Sequence, residues 1–137
     1  MVRVTYGGYL QGGATHHRTG GFLRALYAVG MTAEGDQALE ALAGGDVETY
    51  RALLAPTVPL SREIFKAPTR FYKAGIAFLS WLNGWQSHFI MPAGFQSSRE
   101  IAHYAEVFRL ADKARLLSKP DLAEQRMRTL LLLHGVS

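Results

Sequence analysis

Three features of the sequence predict a mainly α-helical chain. Helix-opening residues recur at Asp46, Pro68, Ser97 and Pro120, glycine punctuation recurs at Gly44-Gly45, Asn83-Gly84 and Gly135, and apolar residues repeat at helical spacing between them. The 137 residues suffice for one domain with one core. At 48% hydrophobic and 19% charged, the composition is that of a soluble globular protein. The absence of cysteine excludes disulfides and thiolate chemistry and is compatible with a cytoplasmic location. The most membrane-like stretch, Phe71 to Leu82, is interrupted by Lys73 and falls short of the ~20 residues that a spanning helix needs. No membrane association is therefore expected, and the N-terminus lacks the apolar core of a signal peptide.

The character of the chain changes near residue 33. Residues 1–33 hold seven of the 14 glycines and no acidic residue, which opposes a long helix, while Val2, Val4, Tyr6 and Tyr9 allow a short strand or two. This glycine-rich segment is one predicted unit, and a helical domain over 34–137 is the other.

Within the second unit, Glu34 to Ala43 is rich in Ala, Leu and Glu and stops at Gly44-Gly45. Asp46 caps a helix to about Ala55, with Val47, Tyr50, Leu53 and Leu54 on its apolar face and Pro56 at its end. Pro59 to Lys66 makes a third, short helix. Pro68 takes the N1 position of a fourth helix, apolar over most of its circumference and stopped by Asn83-Gly84. The connection from Trp85 to Gln96 carries so many large apolar groups that it should be packed. Ser97 and Glu100 have the spacing of a capping box, opening a helix to about Leu117 with Ile101, Tyr104, Ala105, Phe108, Ala111 and Leu116 on one side. Lys119-Pro120-Asp121 opens the last helix, which Gly135 ends.

Few residues point to chemistry. The net charge is +4, but the basic residues are scattered without a run of three, which argues against a nucleic-acid footprint. His16-His17 are adjacent, so their side chains diverge and do not make a metal pair. Glu100-x-x-His103 matches half of the di-iron helical-bundle signature, yet no second Glu-x-x-His occurs, and Glu100 is already assigned to the cap. Lys73, set in an apolar helix, would be a Schiff-base nucleophile if it were desolvated. The simpler reading has its ammonium reach solvent along its own stem or pair with Glu63. Neither a phosphate-binding G-x-x-x-x-G-K-[ST] or G-x-G-x-x-G nor a G-x-S-x-G elbow occurs. No catalytic residue, cofactor or metal site is assigned.

The ordered stretch nonetheless resembles a known family. Gly45-Asp46, Tyr50, Leu53-Leu54, Pro56, Leu60, Phe65, the run Ala67-Pro68-Thr69-Arg70-Phe71-Tyr72-Lys73-Ala74-Gly75 and Leu82-Asn83-Gly84 are similar to the C-terminal end of dihydrodipicolinate synthase and N-acetylneuraminate lyase proteins. The resemblance is closest to an uncharacterised branch of that family. It continues through the Gln86 to Gln96 loop, Glu106-Val107-Phe108-Arg109-Leu110-Ala111-Asp112, and Arg126-Met127-Arg128 to His134-Gly135-Val136, covering about residues 37 to 137.

It implies class I aldolase or lyase relatives built as (β/α)₈ barrels, with a Schiff-base lysine on the sixth strand and a tyrosine on the fifth. Both would lie upstream of the matched stretch, so Lys73 does not inherit the role, and the family's G-x-x-G-E motif has no counterpart. A complete barrel typically needs ~250 residues. The chain is therefore expected to be the outer helices and C-terminal helical extension of such an enzyme, with the barrel itself largely absent. Its expected role is structural, within a homo-oligomer or against a barrel-containing chain. The alternatives are a stand-alone helical oligomerisation module and a small enzyme or nucleic-acid binder. Because Phe71, Ile76, Phe78, Leu79, Trp81 and Leu82 span more than one core-facing stripe, Phe78 and Trp81 are expected near a subunit contact.

Overall fold

The computed structural model of the chain describes residues 33–137. Among them six α-helices follow one another without a strand: α1 (Ala33–Ala43), α2 (Val47–Leu54), α3 (Val58–Ile64), α4 (Tyr72–Leu82), α5 (Ile101–Lys113) and α6 (Pro120–Leu133). Short 3₁₀ turns at Ala55–Thr57, Thr69–Phe71 and Pro92–Ser98 link α2 to α3, α3 to α4 and α4 to α5. The mainly α class expected from the sequence is the class observed. The strand expected within the glycine-rich segment 1–33 falls on residues outside those described.

The helix ends follow local chemistry. Asp46 accepts a hydrogen bond from the Thr49 amide at 3.0 Å and so caps α2 as expected. Four helices close with the same pair of backbone bonds, in which a residue in the left-handed region lets the chain fold back onto the last turn. At α1, for example, Gly45 has φ +80° and the Asp46 amide reaches the Ala41 carbonyl at 2.8 Å. At α5 the same position is held by Arg115 at φ +58°, a conformation that its side chain disfavours.

Two apolar clusters organise the described residues. The smaller joins α1 to α2 through Ala38, Tyr50 and Leu54. The larger unites α3 to α6 around Leu60, Ile64, Phe78, Leu79, Leu82, Val107, Ala111 and Met127. Helices α3 and α4 approach closely where Gly75 faces Ile64: a β-carbon added at Gly75 would lie 3.0 Å from Ile64 Cγ1. The loop after α4 is packed as expected, with Phe89, Met91 and Phe95 laid against the larger cluster, although Trp85 and Ile90 stay exposed.

Several local expectations are corrected. Pro68 is not the first residue of α4. It caps the Thr69–Phe71 turn with an extended backbone, and α4 begins at Tyr72. The capping box of Ser97 and Glu100 does not form. Ser97 belongs to the 3₁₀ turn, Arg99 is extended (φ −125°, ψ 149°), and Glu100 caps α5 without a side-chain bond. The extended backbone at Arg99 separates the turn from the helix. Val47 is 42% exposed rather than part of the apolar face of α2.

Phe78 is the most consequential correction. It is completely buried within its own chain, against Trp81, Phe89 and Tyr104, and so cannot lie at a subunit contact. The apolar girth of α4 is covered by α3, α5, α6 and the 85–96 loop, a cover that helical periodicity does not register. Trp81 is only half-buried. It stacks on Phe89 at 5.7 Å, with the Arg126 guanidinium 5.5 Å from its ring centre.

Candidate functional site

The described residues place one group of ionisable side chains partly in the interior. Leu60 and Ile64 turn α3 toward the core, which brings Glu63, at the helix's last turn, against α5. On α5, His103 begins the core-facing row that continues through Val107 and Leu110. The result is a contact between Glu63 Oε1 and His103 Nδ1 at 2.7 Å, with Lys66 Nζ at 2.6 Å from the same carboxylate oxygen. The His103 side chain is only 3% exposed, and its Nε2 has no hydrogen-bond partner.

The electrostatics follow from this geometry. Partial burial pushes the Glu63 carboxyl up, but the hydrogen bonds and charges of Lys66 and His103 outweigh it, and the group lies below its ordinary value. Burial pulls the His103 imidazole below its ordinary value. Glu63 opposes that shift, while the charges of Arg99 and Lys66 add to it. Next to it, burial pushes the Tyr104 phenol up to about 12, and its hydroxyl donates to the Gln96 carbonyl.

Other buried or half-buried polar side chains act as ties between segments. Arg99 donates to three successive carbonyls, Lys66 at 2.7 Å and Ala67 and Pro68 each at 3.1 Å, across a cis Ala67-Pro68 bond. Asn83 is completely buried. Its Nδ2 donates to the Leu79 and Leu116 carbonyls, and its Oδ1 accepts from the amide and hydroxyl of Ser118 at 2.7 and 2.9 Å. Arg126 reaches back from α6 to the Trp81 and Gln86 carbonyls, and Gln86 in turn donates to Ala77 and His88.

Against this background the residues singled out from sequence separate. Lys73 is exposed on α4 and does not pair with Glu63, whose carboxylate Lys66 and His103 share. Glu100 and His103 do not converge. Glu100 is exposed at the start of α5, whereas His103 is turned inward to Glu63. Among the described residues no three His, Cys, Asp or Glu side chains are grouped to hold a metal ion. His16 and His17 lie outside them. An open groove of about 490 Å³ between α5 and α6 is lined by Ala105, Phe108, Met127 and Leu131, with Asp112 and the Glu124–Arg128 pair among its polar residues. None of its lining residues belongs to the Glu63–His103 group.

A family model described as a protein of unknown function (DUF993) matches residues 4–136. The chain belongs to that family. The match runs through the glycine-rich segment as well as the helices, and its description carries no activity. No curated protein matches the chain. In this family member the sequence points to His103 but with Glu100 as its partner, whereas the structure pairs it with Glu63. Glu63 entered only as a possible partner for Lys73, and Asn83 only as a helix stop. The signal for His103 was its i, i+4, i+7 register with Val107 and Leu110, which marks an inward position whatever the residue's chemistry.

Among the described residues no helix is long and apolar enough to cross a membrane.

Proposed function

We propose that this chain is a structural helical unit, the C-terminal helical portion of a dihydrodipicolinate-synthase-like class I aldolase or lyase, and that it carries no chemistry of its own. The observation that supports this reading is where the polar side chains go. Arg99, Asn83, Arg126, Gln86 and Tyr104 all bind main-chain atoms of neighbouring segments instead of converging on a cavity. Lys73, the candidate nucleophile, sits in water, where nothing desolvates it. Borohydride trapping in the presence of pyruvate should leave the mass of the chain unchanged. An adduct on Lys73, lost in Lys73→Arg, would overturn the proposal.

The second reading, a helical oligomerisation module, is favoured by one feature. Leu132 and Leu133 at the end of α6 are 66% and 78% exposed. Side chains of that size gain roughly 1.5–3 kcal/mol each when fully buried. On this reading, sedimentation at micromolar concentration should show a homo-oligomer that the double change Leu132→Glu and Leu133→Glu disperses. A wild-type monomer would leave the exposed pair for a barrel-containing partner, as the first reading requires.

A further inference from the structure

We propose that Glu63, Lys66 and His103 form an acid-sensitive latch between α3 and α5, closed while the His103 imidazole is neutral and opened when a proton from solvent binds its Nε2. The geometry sets up an asymmetry between the two ring nitrogens. Nδ1 lies 2.7 Å from Glu63 Oε1, so the neutral ring carries its proton there and donates it. Nε2 is sealed from solvent and has no partner, and in the neutral ring it needs no acceptor.

Protonation strengthens the Nδ1 bond to Glu63, but burial of the charge and the unmatched second donor outweigh that gain. The new N–H would appear at Nε2, where no acceptor waits, and an unmatched buried donor is costly. The added charge is not welcome either. The Glu63 carboxylate already holds the Lys66 ammonium at 2.6 Å on the same oxygen, and the Arg99 guanidinium acts on the ring from the segment before α5. A protonated His103 would share the Glu63 carboxylate with the Lys66 ammonium while repelled by the Arg99 charge. Neutral Tyr104, with its ring 5.4 Å away, offers no compensation. Nε2 takes its proton during transient opening of the α3–α5 junction, and the proton then holds the junction open.

The segment released is short. Glu63 and Lys66 bracket the end of α3, while the Arg99 bonds to residues 66–68 and the aromatic packing on Phe78 involve other atoms and persist. Opening therefore loosens the Glu63–Lys66 edge of α3 from His103 while Leu60 and Ile64 stay in the larger cluster.

The linkage has a definite sign. Because the folded state holds His103 below its unfolded value of about 6.5, the unfolded or opened state binds more protons in acid. The latch is fully closed above about pH 6.5 and is lost as pH falls through the folded-state value. With a single proton involved, the opening constant rises by at most about tenfold per pH unit. Hydrogen exchange on the full chain, corrected for intrinsic rates, should show the α3 amides accelerating between pH 7 and pH 5 while those of α4 do not.

Two variants give independent readings. His103→Asn keeps a donor toward Glu63 but nothing that titrates, so the α3 acceleration should vanish. Lys66→Gln alters a half-exposed side chain and returns Glu63 to His103 alone, which favours the imidazolium; the acid effect should flatten or reverse. Ring NMR of the wild type should show the Nδ1–H tautomer at neutral pH. The proposal is overturned if His103 titrates at or above 6.5 with α3 exchange unchanged, or if Lys66→Gln leaves the pH profile as it was.

Discussion

Replacing Phe78 by alanine should lower the stability of the fold by about 3–5 kcal/mol, the range for removing a fully buried aromatic ring. The ring is completely enclosed and lies 4.9 Å from Tyr104, 5.3 Å from Phe89 and 6.1 Å from Trp81, measured between ring centres. Truncation removes the central member of that group, and the cavity spans three separate parts of the chain: α4, the loop after it and α5. None of these can collapse inward without dragging the others. The change should appear in urea unfolding as a large drop in midpoint, with loss of near-ultraviolet aromatic ellipticity. A loss below about 1 kcal/mol would mean that Phe78 does not occupy the interior and would return it to the neighbourhood of a subunit contact.

Asn83→Leu should cost about 2–4 kcal/mol although it exchanges a polar for an apolar side chain of similar branched shape in a buried place. The reason lies with the partners left behind. The Ser118 amide and the Leu116 carbonyl both bond to Asn83 across 33 to 35 residues of chain, and buried main-chain groups without a partner cost about 1–3 kcal/mol each. Asn83 therefore does two jobs. It ends α4, and it fixes the α5–α6 connection onto that end. Thermal unfolding of Asn83→Leu beside Ser118→Ala separates them, because the latter removes only the hydroxyl bond and should cost much less. Equal losses in the two variants would contradict the assignment.

The sequence revealed the helices far better than their ties. Asp46, Gly45, Gly84 and Gly135 act on residues within a few positions of themselves, so their roles can be read from neighbouring letters. Position 97 shows the limit of that reasoning. Ser97 and Glu100 have the right spacing for a cap, but the extended Arg99 between them commits its guanidinium to residues 66–68, a demand no local pattern encodes. Phe78 fails as a predicted contact for a related reason. The girth of a helix shows how much must be covered, and only the placing of α3, α5, α6 and the 85–96 loop shows that the chain covers it. The Glu63–His103 contact crosses 40 positions, so its register could be read from α5 but its partner could not.

The ties made by Arg99, Arg126 and Tyr104, and all of those made by Asn83 except the one to the Ser118 hydroxyl, end on peptide groups rather than on side chains. A peptide carbonyl is the same in nearly every residue, so the tie itself places no demand on the side chain of the grasped position, whereas it fixes the grasping one. Residues 67, 86 and 116 can exchange one side chain for another without breaking a bond to Arg99, Arg126 or Asn83, whereas a change at 83, 99 or 126 has no compensating substitution at the far end. Among relatives, inheritance should therefore look one-sided. The donors should stay fixed and their partners drift, and pairwise covariation should be silent about the contacts that hold these helices in register.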